Sequence, residues 1–280
     1  MEQQQMFNTN IQINLILLCS LFLSAVSFAS GDKGINTIVD NGYIRVGVSG
    51  NQPPYVMHGA AGELMGFDID LARSLAGAMN VEVEFVEMPF DELLRALEKN
   101  KIDIVLSGMD ITLERSSKVL FSGPYAMSGK SILTSKASVE HFSQVENLNH
   151  DHVKAIALAG TTSAEFVKIA IPKAQLITVK DYSEGVDMIK NKAADFMVAD
   201  FAICTLSVML NPEANLATIA KPLSLQPVGL AVSYKHPALH TLMSNYLKSY
   251  QALGALEQLR KKWFENGDWV KFLPGQQIKL

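Results

Sequence analysis

At 280 residues, 48% hydrophobic and 19% charged, the chain is long enough for about two globular domains, each with its own core. Its 24 lysines and arginines against 28 aspartates and glutamates leave a formal charge of −4, so no basic surplus points to nucleic acid. Neither a G-x-S-x-G elbow nor a G-x-x-x-x-G-K-[ST] loop is present, so two common enzymatic signatures are missing.

Gln3 to Ala29 is an uncharged run with an apolar centre from Leu15 to Val26 and small residues at Ser27 and Ala29. That is the pattern of a secretory signal peptide, here residues 1–29, although its start carries Glu2 and no lysine or arginine. Cys19 follows Leu18 inside the apolar run and is filler rather than a lipid-attachment site. Without this segment Cys204 is the sole cysteine, so packing and not a disulfide must supply the stability.

Tyr43 to Ser49 alternates as a strand and turns through Gly50-Asn51-Gln52-Pro53-Pro54-Tyr55. Phe67, Leu71, Leu75 and Met79 form a helix stripe, and Asp68 and Asp70 in its first turn complement the helix dipole. Val81, Val83 and Phe85 alternate as a strand, Pro89-Phe90-Asp91 opens a helix with Leu93, Leu94 and Leu97 inward, and Ile102 to Leu106 is a short buried strand. This alternation begins a parallel α/β sheet, whose ligands bind beyond the carboxyl ends of the strands. At that place stands Ser107-Gly108-Met109-Asp110-Ile111-Thr112-Leu113-Glu114-Arg115, where the Arg115 guanidinium offers a rigid fork that matches a carboxylate.

The alternation repeats with strands at 153–158, 175–179 and 195–199 and helices near 163–171 and 184–191, predicting a second sheet. The first of these strands leads into Ala159-Gly160-Thr161-Thr162-Ser163-Ala164-Glu165, where Thr162-x-x-Glu165 fits a capping box. Such a helix start either is an ordinary cap or binds an anion through its free N–H groups. Asp200 ends the last strand, in position to cap the helix that carries Cys204 as a buried small hydrophobe. His150-Asp151-His152 holds too few imidazoles for a metal and reads as a solvated loop. Leu239, Met243, Tyr246 and Tyr250 form a closing helical stripe.

Three motifs, Gly66-Phe67-Asp68-Ile69-Asp70-Leu71-Ala72, the Ser107 to Arg115 stretch and Phe121-Ser122-Gly123-Pro124-Tyr125, stand in the order and spacing that resemble the bacterial extracellular solute-binding proteins of family 3, over roughly residues 36 to 272. Met109-Asp110-Ile111-Thr112 with Glu114-Arg115 is most similar to the members that bind arginine. The resemblance implies an α/β two-lobe periplasmic-binding-protein fold, each lobe a mostly parallel sheet flanked by helices. Two crossover strands, at Ser131 to Thr134 and Val228 to Val232, would join lobe one, residues 30–129 and 227–280, to lobe two, residues 130–226. It further implies a monomeric periplasmic receptor that closes on a free amino acid, basic or polar, and delivers it to the membrane permease of an ABC transporter. Cofactor, metal and catalytic residue are none in this reading. An arogenate or prephenate dehydratase on the same fold is the alternative, with Asp110 as its acid.

Carried onto this chain, the family's ligand positions fall at Ser49, Gln52, Tyr55, Phe90, Ser107, Gly108, Asp110, Arg115, Leu158, Thr161, Thr162 and Asp200. Arg115 and the helix start at Thr161 and Thr162 would take the α-carboxylate, Asp200 the α-ammonium, and Phe90 would lie against the side chain. Gln52 stands where many members have a second aromatic, Ser49 where several cation binders have an acid, and Asp110 where serine or threonine is usual. Asp110 thereby adds a buried negative charge, for which a ligand with a cationic side chain is the expected compensation.

Overall fold

The computed structural model describes residues 33–274, so the signal-peptide reading of residues 1–29 lies outside the described residues. A first helix, α1 (Lys33–Asn41), leads into β1 (Tyr43–Val48), where the apolar members of the alternation are buried. A small hairpin, β2 (Met57–His58) and β3 (Leu64–Met65), precedes α2 (Phe67–Ala78), which buries Phe67, Leu71 and Leu75 as the stripe predicts. Then come β4 (Glu82–Glu87), α3 (Leu93–Glu98) and β5 (Ile104–Val105). Both β4 and β5 run parallel to β1, as the helical crossovers demand.

After the four-residue helix α4 (Leu113–Ser116), the chain enters β6 (Val119–Ser135), a strand of 17 residues. The second half follows: α5 (Val139–Phe142), β7 (Lys154–Leu158), α6 (Thr162–Ala170), β8 (Gln175–Val179), α7 (Tyr182–Lys190), β9 (Phe196–Asp200), α8 (Phe201–Leu210) and β10 (Leu216–Thr218). The return strand β11 (Ser224–Ser233) leads to α9 (Pro237–Ala252) and α10 (Ala255–Arg260). Leu239 and Met243 of the expected stripe are buried, and Tyr246 Oη donates to Ser74 Oγ at 2.8 Å, tying α9 to α2.

The second half carries its own parallel strands as expected, β7 pairing with β8 and with β9, and the crossover strands make the ladders of the two halves continuous. Among the described residues one sheet runs β4-β1-β5-β11-β6-β9-β7-β8, with β10 added on β6. The reason is the length of β6, which pairs with β11 along most of its course and with β9 and β10 toward its end. The lobes show in the core as well. One cluster gathers α2, β1 and α9 around Phe67, Leu75 and Met243, another gathers Phe142, Val167 and Phe196 in the second half, and a third spans both with Leu97, Leu133 and Ile156.

Asp68 does more than complement the dipole of α2. It is fully buried, and its Oδ2 accepts from Gly108 N at 2.6 Å and from Tyr125 Oη at 2.9 Å, pinning the loop after β5 to α2 and β6. Burial pushes its carboxyl from 3.8 up to about 7, with those two hydrogen bonds opposing. The folded state therefore keeps a proton that the unfolded chain loses at lower pH, so this group's stabilisation is complete below pH 3.8 and fades as the pH rises through about 7. Denaturant midpoints of wild type and Asp68→Asn, measured from about pH 4 to 8, should show the wild type losing ground to the variant as pH rises; parallel curves would show that Asp68 does not titrate in this range.

Candidate functional site

The loop that leaves β5 is shaped by backbone. Gly108 has φ +61°, and a Cβ there would lie 2.7 Å from Tyr55 Cδ2, so only glycine fits without a shift. Ser107 Oγ donates to Ser49 Oγ at 2.9 Å and accepts from Ser49 N at 3.0 Å, which joins the ends of β5 and β1. Further on, Ile111 N donates to Pro227 O at 2.7 Å and Gly229 N to Met109 O at 3.0 Å, stitching Asp110 against β11 where that strand's register shifts. Thr112 caps α4 by accepting from Arg115 N at 3.1 Å, and this fixes Arg115 in the first helical turn.

Arg115 is only 9% exposed. Its Nη1 donates to Asp110 O at 2.8 Å, its Nη2 to Gly160 O at 3.0 Å, and its guanidinium carbon sits 5.5 Å from the Phe90 ring centre. Burial lowers its pKa below the ordinary guanidinium value, and Asp110 opposes that change. Three of the five guanidinium N–H groups remain for a ligand. The bond to Gly160 crosses between the halves, at a glycine whose φ is +71° and whose Cβ would meet Asp91 Cβ at 2.5 Å.

The cap of α6 lies one residue earlier than the capping-box spacing suggests. Thr161, extended at φ −91° and ψ 159°, is the N-cap, with its hydroxyl accepting from Ala164 N and donating to Leu158 O at 2.7 Å. Glu165 pairs with Lys168 instead. Thr162, freed from capping, donates its hydroxyl to Asp110 Oδ2 across the lobes. Asp200 occupies the N-cap position of α8 yet makes no capping bond with its side chain.

Its partner is a residue that the motifs do not mark. Lys130, 1% exposed on β6, donates from Nζ to Asp200 Oδ1 at 2.5 Å and to Asp110 Oδ2 at 3.0 Å. Burial alone would lower this ammonium's pKa, but the attraction of Asp200 and Asp110 outweighs it and holds the group above its ordinary value. The expectation that Asp110 stands uncompensated is thereby corrected, because its counter-ion is already in the chain. Arg115, Lys130, Asp110 and Asp200 carry two charges of each sign.

Eight of the twelve expected residues, Gln52, Phe90, Gly108, Asp110, Arg115, Thr161, Thr162 and Asp200, line one cavity together with Lys130 and Tyr182. The space between them is about 10 Å³, room for roughly one water. Ser49, Tyr55, Ser107 and Leu158 do not line it. They stand behind, the serines joining strand ends, Tyr55 under Gly108, and Leu158 in the core with its carbonyl holding Thr161. A lysine in a strand covered on both sides was the available signal for Lys130, since such a group needs an acidic partner.

Removing one member of a buried ion pair leaves the other uncompensated and costs about 3–5 kcal/mol. Lys130→Met should therefore destabilise strongly, whereas Asp110→Thr added to it should cost less than the sum of the single changes by at least about 1 kcal/mol. Denaturant unfolding of both single variants and the double variant measures this; additive effects would mean that the two charges do not interact.

The expected family is borne out by comparison with known proteins. The model of the bacterial extracellular solute-binding proteins, family 3, matches residues 44–266. The ABC transporter arginine-binding protein 1 of Escherichia coli is 31% identical over 253 residues, covering 89% of this chain and 98% of that protein. The cyclohexadienyl dehydratase of Pseudomonas aeruginosa is 26% identical over 249 residues, covering 89% and 92%. A solved ancestral arginine-binding protein bound to glutamine superposes with a TM-score of 0.75 at 32% identity, covering 80% of this chain and 99% of the other. Since the match takes in most of its length, from residue 44 to residue 266, the chain belongs to the bacterial extracellular solute-binding proteins, family 3.

Proposed function

We propose that this protein is the periplasmic receptor of an amino-acid ABC transporter, exported by its residues 1–29, closing lobe one (30–129 and 227–280) and lobe two (130–226) on a basic or polar amino acid and handing it to a membrane permease. One observation carries the reading: polar groups from the loop after β5 and from the starts of α6 and α8 converge, buried, in a single cavity between the halves. An α-carboxylate is suited to the free donors of Arg115 and the N–H groups at the start of α6. An α-ammonium is suited to Asp110, whose Oδ1 is buried with no hydrogen-bond partner among the described residues, and to Asp200. Because each clamp draws on both lobes, a ligand gains its full set of bonds only in the closed form, which is the condition for driving closure. With about 10 Å³ between the lining residues, entry requires the lobes to part.

A dehydratase is the second reading, favoured by the named relative and by the burial that raises the Asp110 carboxyl. Lys130 and Thr162 both donate to that carboxylate, which favours its ionised form and disfavours it as a proton donor. Incubation with prephenate or arogenate should therefore yield no aromatic product above background.

Calorimetric titration of ligand-stripped protein with the twenty amino acids tests the receptor. Arg115→Lys keeps the charge but loses the fork, so it should weaken the best ligand by at least about tenfold, or 1.4 kcal/mol; a change within about threefold would remove Arg115 from the carboxylate clamp. Small-angle scattering should show a smaller radius of gyration at ligand saturation than in the stripped protein, and no change would count against closure.

A further inference from the structure

Resting on the receptor reading, we infer that Lys130 sets the charge class of the ligand, so that the site takes amino acids with an uncharged polar side chain in preference to cationic or anionic ones. The four charged groups that line the cavity, Arg115, Lys130, Asp110 and Asp200, balance before any ligand arrives. A zwitterion adds one charge of each sign and keeps the balance, while a cationic or anionic side chain leaves one charge over in a site shielded from water. Lys130 is the deciding member because its single ammonium engages both carboxylates, at 3.0 Å and 2.5 Å.

Other charges nearby do not alter the tally. Asp68 lies one layer behind, facing Gly108 N and Tyr125 Oη rather than the cavity. In the adjoining cleft, Asp91, Arg95, Glu98, Glu114 and Glu165 are all exposed to water, and the last two are already paired with Lys118 and Lys168, at 2.9 Å and 2.7 Å. Asp181, on the other flank, is taken up by Asn51 and by the start of α7. Ser49 supplies no acid, and its hydroxyl is engaged by Ser107.

The tally makes each variant a separate test. Lys130→Met leaves the four positions with one negative charge in excess, Asp110→Thr leaves one positive, and the double variant restores balance. Arginine against citrulline, and glutamate against glutamine, are pairs that differ in side-chain charge at nearly constant shape. In calorimetric titrations of the mature full-length protein, wild type should bind citrulline or glutamine more tightly than its charged counterpart. Lys130→Met should raise the arginine-to-citrulline affinity ratio at least about tenfold, and the double variant should return it to within about threefold of wild type. Should Lys130→Met fold poorly, Asp110→Thr carries the same test with opposite sign, raising the glutamate-to-glutamine ratio at least about tenfold. Wild type preferring arginine to citrulline, or ratios unmoved by either substitution, would overturn the inference while leaving the receptor standing. A folded wild type that binds no amino acid at all would overturn both.

Discussion

The ammonium of Lys130 between the carboxylates of Asp110 and Asp200 is the contact on which the centre of this molecule depends. Three charges withdrawn from water carry a desolvation cost of several kcal/mol each, which only close mutual contact offsets. The three come from separate places in the chain: the loop after β5, the long strand β6 and the end of β9. Thr162 adds a hydroxyl from the start of α6 to the same Asp110 oxygen. The ion cluster therefore ties four elements at one point, and its geometry ties the lobes to one another.

That point lies on the strands that join the halves. β6 pairs with β11 from Val119 to Lys130 and with β9 from Lys130 to Leu133, so Lys130 sits where the sheet passes from one lobe to the other. The loop that holds Asp110 is bonded to β11 on both sides of the register shift, through Pro227 O and Gly229 N. Lys130 bridges a carboxylate on the loop after β5 and one at the end of β9, from the two halves of the chain. The ion cluster and the strands that join the halves are thus one structure.

Much of the fold was legible because burial in an α/β protein leaves periodic traces. The alternation in β1 and the four-residue stripe in α2 each place apolar side chains on a face that is in fact covered. Gly108, Arg115 and Asp200 were legible as chemistry at strand ends, and Thr162 by its place at a helix start. What escaped notice were pairings between distant residues. Asp68 looks like any first-turn acid until Gly108 and Tyr125, 40 and 57 positions away, are seen to share its oxygen. The cap on α6 moved by one residue because a Thr-Thr pair offers two hydroxyls, and only the fold decides which one reaches Asp110. That the strands of the two halves join into one continuous ladder followed from the length of β6, which local patterning does not limit.

Lys130 shows most clearly why a residue's electrostatic meaning is not its own. Read alone, Asp110 is an excess anion, and the natural complement is a cationic ligand. With Lys130 beside it, the pair is neutral and that reason for a cation disappears. Neither residue is stable in this place without the other, since a lone buried carboxylate or ammonium would be driven toward its neutral form. Together they retain two full charges in a confined space, strongly polarising yet with no net pull on a distant ion. The field they leave falls off as that of a dipole, so it acts on groups close at hand and little beyond them. The electrostatic meaning of Asp110 therefore turns on a lysine 20 positions further along the chain.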